Sequence, residues 1–314
     1  FENTPLRYPA WLLVPLVALA CASVAVLANG SYREVLAVLP ASAIAYGLHR
    51  LLTRLQFNLL SVVVTSAAIA SALYVSFAQL ITLVAGSPSP RFAAGFVCAS
   101  IFLIPGFPLV TAGLDLARLD LDTGVPRITY AAMVVLAMAI GVWLVASVTG
   151  VSPTPVAPIE GHPMTVWAAL IAASFFAVFG WATMFNVPPA TAVASGVVAI
   201  VGNVPRLLLL ENGVKPHVAT FVGCVIIGLG CAVVAGWFQM TKIIMTVPTL
   251  LVSIPGSPAL RTLIYFDQAD ITAAIASGVS TVLVIVAMVA GLSAARMLTD
   301  PEWTFTRFAT GRDH

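Results

Sequence analysis

Two proline-containing breaks in an otherwise apolar chain are each followed by charged side chains that could bind a small solute. The breaks are 104–108 (Ile-Pro-Gly-Phe-Pro) and 254–258 (Ile-Pro-Gly-Ser-Pro). The charged residues that follow them include Asp115, Arg118 and Asp120 after the first break, and Arg261 and Asp270 after the second. A carboxylate can bind an ammonium group or take up a proton, whereas a guanidinium binds a carboxylate.

The two breaks are 150 positions apart, and at the same separation Asp120 corresponds to Asp270. It also places Val110 on Leu260 and Leu114 on Ile264. Self-similarity at a fixed period is typical of a chain built from related units. The sequence therefore predicts two halves, each with a broken apolar helix and a trailing carboxylate.

Proline inside a helix removes an amide donor and clashes with the preceding turn, so each break should end one half-helix and begin another. In a membrane, such irregular backbone is tolerated only against protein or a water-filled cavity. Half-helices beginning near Leu109 and Ala259 would direct amide donors and a positive dipole end at an anion. The alternative is a structural kink, because proline is common in membrane helices.

Charged residues inside a membrane are costly and are functional candidates by default, although the same residues at the membrane surface cost little. Asp115 and Arg118 are three residues apart and could pair on one helix face. The candidate substrate-binding residues are Pro105, Gly106, Leu109, Asp115, Arg118, Asp120, Pro255, Gly256, Ala259, Arg261 and Asp270.

The composition indicates a membrane protein. Of 314 residues, 60% are hydrophobic and only 8% are charged, which is far below the level of about a quarter in soluble domains. The scattered charges, with a net value of +2, do not indicate nucleic-acid binding. Neither the four cysteines nor the four histidines have metal-ligand spacing, and the chain lacks nucleotide-binding and hydrolase motifs. We therefore expect that the protein is not an enzyme and binds no cofactor. We also expect it to be surrounded by membrane lipid.

Apolar runs predict an all-α polytopic fold with about ten transmembrane helices, of which the fourth and ninth are broken. The runs are about 10–29, 34–52, 57–85, 92–121, 127–149, 164–185, 189–210, 216–238, 243–265 and 271–297. The predicted organisation is a five-helix repeat (1–150), a Pro-rich linker (151–163), a second five-helix repeat (164–300) and a cytoplasmic tail (301–314).

An odd number of spans in each half predicts that the second half is inverted relative to the first, as in many secondary transporters. Nine Lys and Arg residues fall on the side of the N-terminus and five on the other, if the last residues of the seventh span are counted as part of the following loop. This excess of positive charge predicts cytoplasmic termini. Glycine-rich helix faces are compatible with a homo-oligomer.

The two proline motifs, with 103–110 (Leu-Ile-Pro-Gly-Phe-Pro-Leu-Val) and 115–120 (Asp-Leu-Ala-Arg-Leu-Asp), resemble the threonine/serine exporter family. Segments 176–188 and 218–221 resemble it as well. The resemblance implies a ten-helix exporter of small hydroxy amino acids in the bacterial inner membrane, driven by the proton motive force. Family members carry a cytoplasmic region before the first helix, and such a region is expected to precede Phe1. Some relatives are split near the linker and are associated with dicarboxylate export.

These observations leave four hypotheses. In the first, amides near Leu109 and Ala259 hold the carboxylate of a small amino acid, and Asp120 or Asp270 holds its ammonium or the coupling proton. The second is a dicarboxylate exporter that uses Arg118 and Arg261. The third is a non-transporting membrane subunit with a role in assembly, and the fourth is a channel.

Overall fold

The computed structural model describes residues 7–85, 93–150, 162–255, 258–259, 262, 265–266 and 269–304, apart from the side chains of residues 93, 94 and 302. Every regular element in these ranges is a helix. The linker at 151–161 and the end of the tail at 305–314 lie outside them. The all-α prediction is thus confirmed for the described part of the chain.

The first half contains three long helices, a broken segment and a fourth long helix. These are α1 (Ala10–Leu27), α2 (Tyr32–Arg54), α3 (Leu59–Ala85), α4 (Ala93–Cys98), a 3-10 turn (Ile101–Leu103), α5 (Gly106–Ala117) and α6 (Leu121–Thr149). Helix α6 begins six residues earlier than predicted because Asp120 caps it and the helix continues through Pro126. A proline near a helix start sacrifices only one backbone hydrogen bond.

The second half repeats this order. It contains α7 (Pro163–Met184), α8 (Pro189–Glu211), α9 (Pro216–Phe238), α10 (Lys242–Leu250), a 3-10 turn (Leu251–Ser253), α11 (Ile271–Thr299) and the short α12 (Pro301–Thr304). Between the 3-10 turn and α11, the described residues Pro258, Ala259, Thr262, Tyr265 and Phe266 are helical.

Within the described residues, eight helices are long and apolar enough to cross a membrane. They are α1, α2, α3, α6, α7, α8, α9 and α11. The shorter apolar segments Gly106–Ala117 and Lys242–Ser253 belong to the two broken regions. The chain is therefore a polytopic membrane protein, and the count of ten spans depends on how the broken regions cross.

The backbone after each break is repeated in detail. Leu119 and Ala269 have positive φ angles of 60° and 59°, in the left-handed region. The next residues, Asp120 and Asp270, are N-caps of α6 and α11, and their carboxylates accept from the amides three positions on, at 3.3 and 3.0 Å. In each case a residue in the left-handed backbone conformation ends one helix, and a capping side chain begins the next, which produces a sharp turn.

The C-terminal ends of the helices before the breaks also correspond between the two halves, at a separation of 157 positions. Asn29 after α1 and Asn186 after α7 have φ angles of 64° and 61°. Gln56 after α2 and Gly213 after α8 have φ angles of 59° and 77°. The separation is 157 at the starts of α3 and α9 and 150 at the two breaks, because the first half has seven more residues between these points.

Two glycines at equivalent positions bring neighbouring helices into backbone contact. A Cβ at Gly141 of α6 would overlap the Val64 carbonyl oxygen of α3. A Cβ at Gly291 of α11 would overlap the Phe221 carbonyl oxygen of α9. Small residues permit this approach, and van der Waals packing at such positions is a main source of helix association in membranes.

The halves meet at α1 and α7, which pack directly on each other. Gly180 of α7 faces the Leu16 carbonyl oxygen of α1 and has no room for a Cβ. The segment before α1 also contacts the second half, because the Tyr8 hydroxyl donates to the Val187 carbonyl oxygen at 2.7 Å. The halves therefore share a buried interface through α1 and α7, in addition to the contacts of α5 with α10 and α11.

Candidate functional site

The two proline breaks lie next to each other in the structure. Gly106 packs so closely on the Leu251 side chain that a Cβ at this position would overlap it. Leu109 of the first break lines a cavity of about 250 Å³ together with Pro255 and Ala259 of the second. The side chains of this cavity are mostly apolar, so it is poorly suited to binding a charge.

The half-helix after the first break begins at Gly106, with Pro105 as its N-cap, rather than near Leu109. The Leu109 amide donates to the Pro105 carbonyl oxygen at 3.0 Å, and the Ala259 amide donates to the Pro255 carbonyl oxygen at 3.2 Å. Both amides predicted to hold a carboxylate are therefore already bonded. Pro108 lies in the first helical turn, where a missing amide costs little.

A more polar cavity of about 340 Å³ lies beside the second break. Its wall includes Arg206 from α8, Thr220 from α9, Asn29 from the α1–α2 turn, and the broken backbone at Ile254 and Pro255. Small-molecule sites occupy about 300–1,000 Å³, so a small solute fits this space. Among its described lining residues, Arg206 is the one ionisable side chain apart from Cys98.

A chain of hydrogen bonds fixes the Arg206 guanidinium. Its Nη1 donates to Asn203 Oδ1 at 2.9 Å, and its Nε donates to Thr220 Oγ1 at 3.3 Å. Asn203 is fully buried, and its amide nitrogen donates to Ser174 Oγ of α7 at 2.9 Å. These bonds use two of the five guanidinium donors, which leaves donors that can bind an anion.

The structure does not pair Asp115 with Arg118. Asp115 instead forms an ion pair with Arg127 of α6, which is close because α6 turns back along α5. The Arg118 guanidinium lies over the ring of Trp303 in α12, 5.3 Å from its centre. Neither side chain lines the two cavities beside the breaks.

Asp120 and Asp270 are exposed, and both cap helices. Neither lines the cavities beside the breaks. The cap explains why a carboxylate recurs at this position, although it does not test a role in transport. Gly256 and Arg261 lie outside the described residues.

Sequence reasoning missed a half-buried arginine and a fully buried glutamate. Arg206 was counted among the loop charges, although its position inside the apolar run 189–210 and its i, i+3 spacing from Asn203 were visible signals. Glu34, which is fully buried, forms a capping box with Ser31 and accepts from the Tyr74 hydroxyl at 3.3 Å and the Gly95 amide at 3.4 Å. The Ser-x-x-Glu pattern was its signal.

Family models match both halves of the chain. One described as "Putative threonine/serine exporter" matches residues 1–149, and one described as "Threonine/Serine exporter, ThrE" matches residues 170–298. Together they cover both sides of the linker.

Curated relatives include two proteins named "Probable succinate transporter subunit YjjP". The one from Klebsiella aerogenes is 32% identical over 152 residues, and the one from Escherichia coli is 30% identical over 146 residues. Each alignment covers 46% of this chain and 55% of the relative, so the chain spans about half the length of the curated relatives it matches. No solved structure matches the chain.

Proposed function

Because this chain belongs to the threonine/serine exporter family, we propose that it is a secondary exporter of threonine, serine or a similar small amino acid. The observation that carries the proposal is the guanidinium of Arg206 in a cavity beside a broken helix. A guanidinium held by two hydrogen bonds binds a carboxylate at a small entropic cost. Every α-amino acid presents such a carboxylate.

In this proposal the remaining donors of Arg206 hold the substrate carboxylate. Broken backbone at Ile254 and Pro255 lines the same cavity and offers carbonyl oxygens for the ammonium group, as discontinuous helices do in other secondary transporters. Asn29 and Thr220 supply polar groups for a side-chain hydroxyl. Rocking of one half against the other would open the cavity to alternate sides.

The proposed topology has ten crossings, with each broken region counted as one. Five crossings in each half invert the second half, and cytoplasmic termini follow from the Lys and Arg distribution in a bacterial inner membrane. The repeated caps and the matched glycine contacts support two related units. On this topology the end of α8 that carries Arg206 faces the outside.

The driving force in this proposal is the proton motive force, with Asp120 or Asp270 as the residue that takes up the coupling proton. Both carboxylates are exposed and can exchange protons with water.

A homo-oligomer with lipid at its outer faces is part of the same proposal. Exposed apolar side chains along α6 and α11 provide such faces.

Dicarboxylate export is the second candidate function. The described wall of the Arg206 cavity carries a guanidinium and no carboxylate, which favours a substrate with excess negative charge. The curated relatives are named for succinate transport.

A flux assay with purified protein in proteoliposomes separates these functions. Under an imposed proton gradient, we expect threonine or serine to accumulate against its own gradient with saturation, and Arg206→Gln to abolish this flux. The matched control is Lys215→Gln, which removes a positive charge from an exposed residue outside the cavity. Succinate flux without threonine flux would establish the second candidate. Absence of all flux would point to a subunit that needs a partner, and flux without saturation to a channel.

A further inference from the structure

A further cavity, of about 410 Å³, lies at the end of α2; it is called the second cavity here, and the Arg206 cavity is called the first. Its polar side is formed by His49, Arg50, Thr53 and Arg54, and its apolar side includes Phe102 and Phe185. Among its described lining residues it contains no carboxylate. It is separate from the Arg206 cavity, because the two share none of their described lining residues.

Arg50 is held at this cavity with part of its guanidinium unbonded. Its Nη1 is buried and has no hydrogen-bond partner among the described residues. Its Cζ lies 6.0 Å from the centre of the Tyr46 ring, and the Tyr46 ring packs edge-on against Phe102 at 5.4 Å. A buried donor without a partner is unfavourable, and an anion would satisfy it.

The two cavities are lined by equivalent positions of the two halves. At the separation of 157 residues, His49 corresponds to Arg206 and Ala28 corresponds to Phe185. At the separation of 150, Phe102 corresponds to Val252. His49, Phe102 and Phe185 line the second cavity, whereas Arg206, Ala28 and Val252 line the first. In each half this side chain also lies near a hydroxyl of the next helix, but at positions that do not correspond: His49 Nδ1 is 3.4 Å from Ser66 Oγ of α3, and Arg206 Nε is 3.3 Å from Thr220 Oγ1 of α9.

We propose that the cavity at Arg50 is a second carboxylate-binding site, located at the opposite end of the transport route from Arg206. The substrate carboxylate would bind Arg50 Nη1 on one side of the membrane and Arg206 on the other. Arg54 adds donors and positive charge at the α2 C-terminus, where cations are favoured by the helix dipole, and His49 lines the same cavity. This inference rests on the proposed function, because it assumes that one solute uses both sites.

Labelling of an introduced cysteine tests the site without depending on transport, because the native Cys21, Cys224 and Cys231 are buried. Thr53→Cys would place a thiol in the second cavity, and Asn29→Cys would place one in the first. Both variants are made with Cys98→Ser, because Cys98 lines the first cavity. The probes are membrane-impermeant methanethiosulfonates, one with an anionic sulfonate and one with a cationic trimethylammonium group.

We expect Thr53→Cys to react from one face of the membrane and Asn29→Cys from the other. At Thr53→Cys the anionic reagent should react about tenfold faster than the cationic one, because a nearby positive charge raises the local concentration of anions. Arg50→Gln should weaken this preference, because Arg54 remains in the cavity, and Lys215→Gln, which alters an exposed charge outside the cavity, should leave it unchanged. Labelling of both thiols from the same face, or a preference of the same size in Arg50→Gln as in the parent protein, would overturn the proposal.

Protection by substrate distinguishes this inference from the proposed function. Threonine or succinate, whichever is transported, should slow labelling at Thr53→Cys, and Arg50→Gln should remove the protection. If wild-type protein transports neither solute but the face and charge preferences hold, the exporter function fails and an anion site remains. If transport is normal and the transported solute gives no protection, the second site is wrong and the exporter function stands.

Discussion

Arg206 is held by neutral partners, and this neutrality keeps its charge available to a solute. Asn203 and Thr220 accept hydrogen bonds from the guanidinium without cancelling its charge. A carboxylate in place of either would form an internal ion pair and compete with the substrate. The identity of Asn203 therefore matters as much as its position.

Asn203→Asp tests this reasoning. The new carboxylate would lie at the 2.9 Å position of the present Asn203–Arg206 bond, so we expect the KM for the transported solute to rise. A hydrogen bond to a charged group contributes about 1.5–3 kcal/mol, so the rise should be about tenfold to a hundredfold. The control is Asn212→Asp, which adds the same charge on an exposed residue. An unchanged KM in Asn203→Asp would mean that Arg206 does not bind the solute.

Asp120 and Asp270 can be tested separately as caps and as proton carriers. Because each accepts a hydrogen bond at a helix start, replacement by Ala should lower the free energy of unfolding by about 1 kcal/mol, whereas Asn should preserve it. Thermal unfolding in detergent measures this difference. Proton-coupled flux in the double Asn variant provides the second readout. Normal flux would leave the cap as the only role, and lost uphill flux in a stable protein would establish the carboxylate in coupling.

The charged residues show where reasoning from sequence succeeded and where it stopped. The recurrence of Asp120 at Asp270 was visible because it is a matter of spacing along the chain. The pairing of Asp115 with Arg127 was not, because it depends on α6 folding back on α5. Arg206 was missed because a charge near the end of an apolar run reads equally well as a loop residue, and only the packing of α7, α8 and α9 shows that it lines a cavity.

At the scale of helices, close backbone contacts connect each half internally. Gly141 and Gly291 lie at equivalent points of α6 and α11, where each touches a carbonyl oxygen of the neighbouring helix. Their spacing in the sequence is regular, but glycine alone does not reveal which helix it approaches. Most helix boundaries were predictable from apolar runs. The start of α5 at Gly106 depended on backbone geometry around Pro105, and the start of α6 at Leu121 depended on the Asp120 cap.

Gly141→Ala and Gly291→Ala should each destabilise the protein. The added Cβ would overlap a backbone oxygen that cannot move without shifting a helix, and overpacking of this kind costs about 1–3 kcal/mol. Thermal unfolding in detergent gives the measurement. The matched control is Gly47→Ala in α2, because nothing lies within 4 Å of a Cβ at that position. Equal behaviour of all three variants would show that these contacts do not limit stability.

At the scale of the whole molecule, α1 and α7 form a buried interface between the halves that does not involve the linker. The interface includes the Gly180 contact with Leu16 and the hydrogen bond from Tyr8 to Val187. A surface of this kind should form between separate polypeptides.

We expect residues 1–155 and 156–314, expressed together as two chains, to co-purify and to restore the flux of the intact protein. The cut falls in the Pro-rich linker, between α6 and α7. Gly180→Leu in the second chain should prevent co-purification, because a large side chain would separate α1 from α7. The control is Gly236→Leu, since nothing lies within 4 Å of a Cβ at that position. Recovery of the Gly180→Leu pair in normal yield would show that the halves associate elsewhere.

The matched glycine contacts have a further consequence for the energy difference between inward-open and outward-open forms. If the halves exchange conformations during transport, the α3–α6 contact in one form takes the geometry that the α9–α11 contact has in the other. Strain introduced at Gly141 and strain introduced at Gly291 should then shift the equilibrium in opposite directions. When both positions are substituted, the two shifts should cancel. The double variant should then be less stable than the original protein but have the same equilibrium between the inward-open and outward-open forms.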